Sequence, residues 1–158
     1  FAVKVGGDGY VYVSDYGNHA IRSISPKGSV ETIYSDSMAI KLQPDEPENI
    51  WLARIWPRVK IPCGLDLGEN GDIYFANSMH HNVMCIHRKK TNQNDTLLLD
   101  EVVPVAGYGT LSEVLTKSPH QHLDKGHQDG VGYLSLLKRP QGICMRGSEV
   151  IIADTWNE

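Results

Sequence analysis

The sequence predicts an all-β chain: a partial β-propeller ring built from four-stranded antiparallel blades, with insertions between them. Three observations predict it. One phrase recurs in register, as Val3-Lys4-Val5 through Asn18, again from Leu65 to Asn77, and again from Ile143 to Asn157. Each copy breaks into short β-rich runs separated by turn residues. The second copy follows the first at an exact offset of 62 residues and the third follows the second at 77–78, and such internal repetition is the mark of units that stack or ring together.

In the first copy, residues 3–5 alternate, Asp8-Gly9 supplies positive-φ turn chemistry, and 10–13 is rich in Tyr and Val. Runs 20–24 and 29–34 follow, divided by Pro26-Lys27-Gly28. That makes a four-stranded unit over 1–34. The second copy spans 62–106 and supplies 65–67, 73–76, 83–87 and 101–106. Val3 aligns with Leu65, Gly9 with Gly71, Tyr12 with Tyr74 and Ile21 with Val83, each 62 residues apart. The third copy, 140–158, supplies 143–145 and 150–153.

Propellers close with typically about 4–8 blades, each needing neighbours on both faces. About two and a half blades would leave two apolar faces bare, so the rest of the ring is expected from a longer polypeptide, with partner chains as the alternative. Blades commonly recur every ~40–50 residues, so the wider spacing implies insertions at 35–61, 88–100 and 107–139. The first insertion reads as a short helix over 46–56, with Asp45 as N-cap and Pro57 as terminator. Its Trp51 and Trp56 serve either as an anchor on the propeller body or as a partner contact.

Composition bounds the function classes. The 158 residues are 41% hydrophobic and 22% charged, with net charge -4. That balance argues against a nucleic-acid binder, which normally presents a basic face to phosphates. No apolar run is long enough to span a membrane. Three cysteines, Cys63, Cys85 and Cys144, read first as small half-buried hydrophobes. A Cys63–Cys85 bridge within one unit is the alternative and needs an oxidising compartment. Asn94-Asp95-Thr96 is a glycosylation sequon in a polar loop, and it leans the chain toward a secreted, extracellular setting.

The Pro-x-Gly openings at Pro62-Cys63-Gly64-Leu65 and Pro140-Gln141-Gly142-Ile143, with the centre Tyr12-Val13-Ser14-Asp15-Tyr16-Gly17-Asn18-His19-Ala20-Ile21, resemble the NHL repeat of β-propellers. The likeness covers nearly the whole chain outside the insertions. It implies the propeller but not one activity, because such propellers serve as enzymes, RNA binders and binding platforms. In that pattern Asp15, Asn18, Asn77, Asp154 and Asn157 read as caps of the turns between second and third strands. The second copy departs from it, with Asn77 for the usual Asp and His80 where Asn18 and Asn157 stand.

Candidate chemistry is sparse. His120, His122 and His127, beside Asp124 and Asp129, offer imidazoles to a metal, yet their spacing matches no standard zinc arrangement. A polar insertion explains the same residues. Gly6-Gly7-Asp8-Gly9 and Gly107-Tyr108-Gly109-Thr110 lack the rest of a phosphate-binding motif and read as turns. The expectation is a non-catalytic module, a scaffold or protein-binding platform without a cofactor. The alternative implied by the resemblance is an enzyme like the amidating lyase, with a metal on the propeller axis. RNA binding ranks below both.

Overall fold

The structure, a computed structural model, describes residues 1–38, 58–88, 99–107 and 126–157. Three antiparallel sheets follow one another. The first holds β1 (Val3–Val5), β2 (Val11–Asp15), β3 (Ala20–Ile24) and β4 (Val30–Ser35), hydrogen-bonded in that order. The second holds β5 (Pro62–Leu67), β6 (Ile73–Asn77), β7 (Asn82–Arg88) and β8 (Leu99–Ala106), again in order. The third pairs β9 (Gly142–Arg146) with β10 (Glu149–Ala153).

Register repeats along with sequence. Val3 faces Val13, Leu65 faces Phe75, and Ile143 faces Ile152. The hairpin between first and second strands turns on a glycine in the left-handed region, at φ 79° for Gly9, 87° for Gly71 and 58° for Gly147. These are blades of a propeller, and the chain forms an arc of the ring. β8 extends into the segment expected to loop, beginning at Leu99. It accepts Pro104 because an outer strand has an edge that needs no ladder bond, and the β7–β8 register slips between Val83 and Met84.

The core lies between the first two blades, where Tyr12, Ile21, Ile33 and Tyr34 meet Leu65, Ile73, Phe75, Met84 and Ile86. Each such side chain taken fully from water contributes about 1.5–3 kcal/mol. Burial is deepest in the middle blade, because it alone has a neighbour on both sides. Ile73, Phe75, Val83, Met84 and Ile86 are wholly buried, whereas Val3, Val5 and Val30 on the first blade and Ile151 on the third are exposed. Those bare apolar side chains lie where further blades of a ring would pack.

An antiparallel meander sorts its connections between two ends. At one end lie the hairpins after β1, β5 and β9, together with the exit from β7 and the return into β8. At the other end lie the 3-10 turns Tyr16–Asn18 and Ser78–His80, along with every exit from one blade and entry to the next. The expected helix over 46–56 lies outside the described residues. No helix among the described residues is long and apolar enough to cross a membrane.

Candidate functional site

Three groups of polar side chains stand out, at the two ends of the blades and at their inner edge. The first is at the connection end. His19 and His81 are 62 residues apart and both sit in the left-handed region just after the 3-10 turn, at φ 52° and 56°. His19 Nδ1 accepts the backbone N–H of Ile61 at 3.2 Å, and His81 Nδ1 accepts that of Arg139 at 3.0 Å. Ile61 and Arg139 directly precede Pro62 and Pro140 and are themselves left-handed, at φ 55° and 51°. Among the described residues these four are all the non-glycine residues with positive φ, and they pair into two equivalent bonds. Such backbone states cost about 1–3 kcal/mol each, so the bonds hold the chain in a conformation it would otherwise leave.

The turn residues work beside them. Asp15 and Asn77 make no side-chain cap bond to the 3-10 turns that follow them. Asn77 instead ties down the chain entering the second blade, accepting from Lys60 N and donating to Arg58 O, both at 2.8 Å. Asp154 accepts Lys138 N at 2.7 Å in the same way at the third blade, and Asn157 donates to Asp154 and to Gly126 O. Asn18 donates to both oxygens of Asp15 at 3.0 and 2.9 Å, and Arg22 Nε to one of them at 2.6 Å. Those two partners, Asn18 first, hold Asp15 below the usual carboxylate range. Ser14, fully buried, donates to Cys63 O across the boundary between blades at 2.6 Å.

At the inner edge, Lys4, Asp66 and Cys144 hold matching positions on the first strands of the three blades. Asp66 joins all three: Lys4 Nζ is 3.1 Å from Oδ1, and Met145 N donates to Oδ2 at 2.9 Å. Leu67 N takes Oδ1 as well, at 2.9 Å. Burial works to raise the Asp66 pKa, but the Met145 and Leu67 N–H groups and the Lys4 ammonium outweigh it and leave it lowered. An axial cation does not fit these residues, because Lys4 already supplies the positive charge and both carboxylate oxygens are engaged. Close by, Gly64 N donates to Gln141 O at 2.6 Å, and a Cβ on Gly64 would stand 2.5 Å from that oxygen.

The hairpin end carries the densest group of titratable side chains. Tyr12 OH donates to Asp8 Oδ2 at 2.6 Å, and Arg88 from the second blade reaches the same oxygen at 3.0 Å. The Arg88 guanidinium lies 5.0 Å from the centre of the Tyr12 ring, a cation–π contact across the blade boundary. Next to it, Asp72 Oδ2 is 2.7 Å from His87 Nδ1, and Cys85 Sγ is 3.9 Å from that same nitrogen. Asn70 Nδ2 donates to Asp72 Oδ2 at 2.7 Å, and Arg88 N to Oδ1 at 2.9 Å. Burial pushes the Cys85 thiol up to about 12, and the Tyr74 phenol beside it likewise to about 12. Burial of Asp72 works to raise it, yet the Arg88 N–H, His87 and Asn70 hold it low.

This trio is not a nucleophile relay. A relay needs the thiol and the orienting carboxylate on opposite nitrogens of the ring, whereas here both face Nδ1.

Of the residues singled out from the sequence, Trp51, Trp56, Asn94, His120 and His122 lie outside the described residues. His127 lines a cleft of about 490 Å³ together with Asp129, Ser135, Asp154 and Asn157. The three cysteines are free thiols, so the Cys63–Cys85 bridge is not formed; both are buried, on β5 and β7 of one blade, with β6 between them. Sequence reading missed the roles of His19, His81, Asp66 and the Asp72–Cys85–His87 group. The 62-residue spacing of the two histidines, with a residue-before-proline as partner in each case, was the available signal.

No family model matches the sequence, and no curated protein matches it. Among solved structures, a protein of unknown function from Bacteroides thetaiotaomicron aligns over 94% of this chain and 30% of its own, at 19% identity and TM-score 0.58. A streptogramin B lyase aligns over 53% of this chain and 22% of its own, at 23% identity and TM-score 0.36. A catalytically inactive virginiamycin B lyase from Staphylococcus aureus with quinupristin aligns over 89% and 29%, at 16% identity and TM-score 0.42. The chain spans less than a third of the length of each of these proteins, and the likeness to the first is one of fold.

Proposed function

We propose that this arc belongs to a non-catalytic propeller of the NHL type that serves as a structural or protein-binding platform. One observation carries the reading: polar side chains of the repeat are spent on backbone at the entries to the blades and across the boundaries between them. Ser14, His19, Asn77, His81 and Asp154 each bond backbone at or next to a blade boundary. A ring stiffened in this way presents a fixed surface, which lowers the ordering cost of binding.

The connection end is the proposed partner face. Tyr16 and Trp156, on equivalent turns, are 44% and 50% exposed, and Arg139 stacks 4.6 Å from the Trp156 ring. Tyr, Trp and Arg are residue types enriched at protein interfaces. The segment carrying Trp51 and Trp56 leaves β4 and enters β5 at this end, and both are included in the proposed contact set. Glycosylation at Asn94 is included in the proposal. An extracellular setting is part of the same proposal.

The test isolates the intact protein under native conditions, cross-links it, and compares it with a Tyr16→Ser, Trp156→Ser double variant. A partner chain at fixed stoichiometry, lost in a double variant of unchanged circular dichroism, is the expected result. A solitary protein that holds a metal on its axis and loses turnover when that metal is chelated contradicts the reading.

A further inference from the structure

We propose that Asp72, Cys85 and His87 form a binding site for a divalent cation of the zinc class, at the hairpin end of the second blade. Three different donor types converge there. Asp72 Oδ2, Cys85 Sγ and His87 Nδ1 all lie within 4.8 Å of one another. Zinc bonds of about 2.0–2.3 Å in a tetrahedron place neighbouring donors about 3.3–3.6 Å apart. The 2.7 Å Asp72–His87 contact and the 3.9 Å Cys85–His87 contact fall on either side of that range. A shift of the His87 ring, whose side chain is 42% exposed, brings both contacts toward that range, and the Asp72–Cys85 pair, within 4.8 Å, closes on the ion with it.

The convergence on one ring nitrogen, which excludes a relay, is what an ion between the three donors requires. Supporting bonds are in place, since Asn70 and the Arg88 N–H orient the Asp72 carboxylate as outer-shell partners orient a metal ligand. A carboxylate, an imidazole and a thiolate suit zinc among common divalent ions. Three protein ligands leave a fourth position, open on the His87 side, for water. On binding, the Cys85 thiol gives its proton to solvent. The proton that His87 Nδ1 holds toward Asp72 is given up to solvent while the ring keeps or takes a proton at Nε2, and the sulfur, nitrogen and oxygen lone pairs bond the ion. The Asp72–His87 hydrogen bond is lost in exchange.

The site stands apart from the platform reading, being at the opposite end of the blade and independent of any partner. The experiment strips the intact protein with chelator and titrates zinc against a chromophoric competitor. It then substitutes cobalt and reads the thiolate-to-cobalt charge-transfer absorption. One equivalent is expected, with the charge-transfer band present in the wild type and absent in Cys85→Ser. His87→Ala, a half-exposed position that spares the core, is expected to weaken zinc by at least about 100-fold, the upper end for outer-shell changes. His127→Ala serves as the control. Undiminished affinity in His87→Ala, an equal loss in His127→Ala, or a cobalt form without the thiolate band overturns the proposal.

Discussion

His81 Nδ1 accepts the backbone N–H of Arg139 at 3.0 Å, across 58 residues of sequence and between two blades. The bond closes the connection that brings the chain to Pro140, and His19 makes the same bond to Ile61 one blade earlier. His81 is buried, so replacing it leaves the Arg139 N–H without an acceptor and with poor access to water. We expect His81→Ala to lower unfolding stability by about 1–3 kcal/mol, measured by denaturant titration. Amide exchange in the peptide containing Arg139 should quicken in the same variant.

Asn77→Asp restores the residue type found at Asp15 and Asp154, yet it should destabilise. Asn77 is fully buried and uses both halves of its amide, donating to Arg58 O and accepting from Lys60 N. A carboxylate keeps the acceptor and sets an anionic oxygen against the Arg58 carbonyl. The expected loss is about 1–3 kcal/mol, read from the denaturation midpoint, with Asn77→Ala as comparison.

Gly64→Ala should separate the second and third blades. The added Cβ would stand 2.5 Å from Gln141 O and 2.8 Å from Ile143 N, both backbone atoms that cannot rotate away. Overpacking of this kind costs about 1–3 kcal/mol. A thermal melt of the intact protein checks it, and an unchanged Tm would contradict the close approach of the two inner strands.

Acid should loosen the inner edge. The Asp66 pKa is lowered in the folded chain from its ordinary 3.8. Its contribution to stability is therefore full above that value and lost as pH falls through the lower folded value. Asp8 and Asp72, also lowered, add loss in the same window. Stability measured against pH should drop below about pH 4, and Asp66→Asn should flatten the drop.

Thiol reactivity should sort by position. Cys144 is exposed, whereas Cys63 and Cys85 are buried with raised thiol pKa values. Native alkylation at neutral pH is expected to label Cys144 first, by peptide mass spectrometry, with the other two labelled only on unfolding.

The blades were legible because their cause is local. Alternating Val and Tyr, with Asp-Gly or Asn-Gly at the turn, specify a hairpin, and a 62-residue offset transfers the assignment from one copy to the next. The Pro-x-Gly openings also carried meaning in the pattern, since Gly64 sits where a Cβ has no room. The polar bonds were not legible for the opposite reason. Asp15, Asn77 and Asp154 read in the sequence as local turn caps, whereas Asn77 and Asp154 also reach the chain entering their own blade, 17 and 16 residues away. The role of His81 is not visible locally because its partner is 58 residues on. Asp72 lies just before β6 and Cys85 and His87 lie on β7, so the three meet only when β6 and β7 pair in register.

Side chains at blade boundaries hold the arc together, and hydrogen–deuterium exchange on the intact protein, wild type against His81→Ala, reads this out. Faster exchange is expected in peptides covering 139–146, with unchanged protection in β2 and β3 of the first blade. Equal exchange at 139–146 in the two proteins would contradict it.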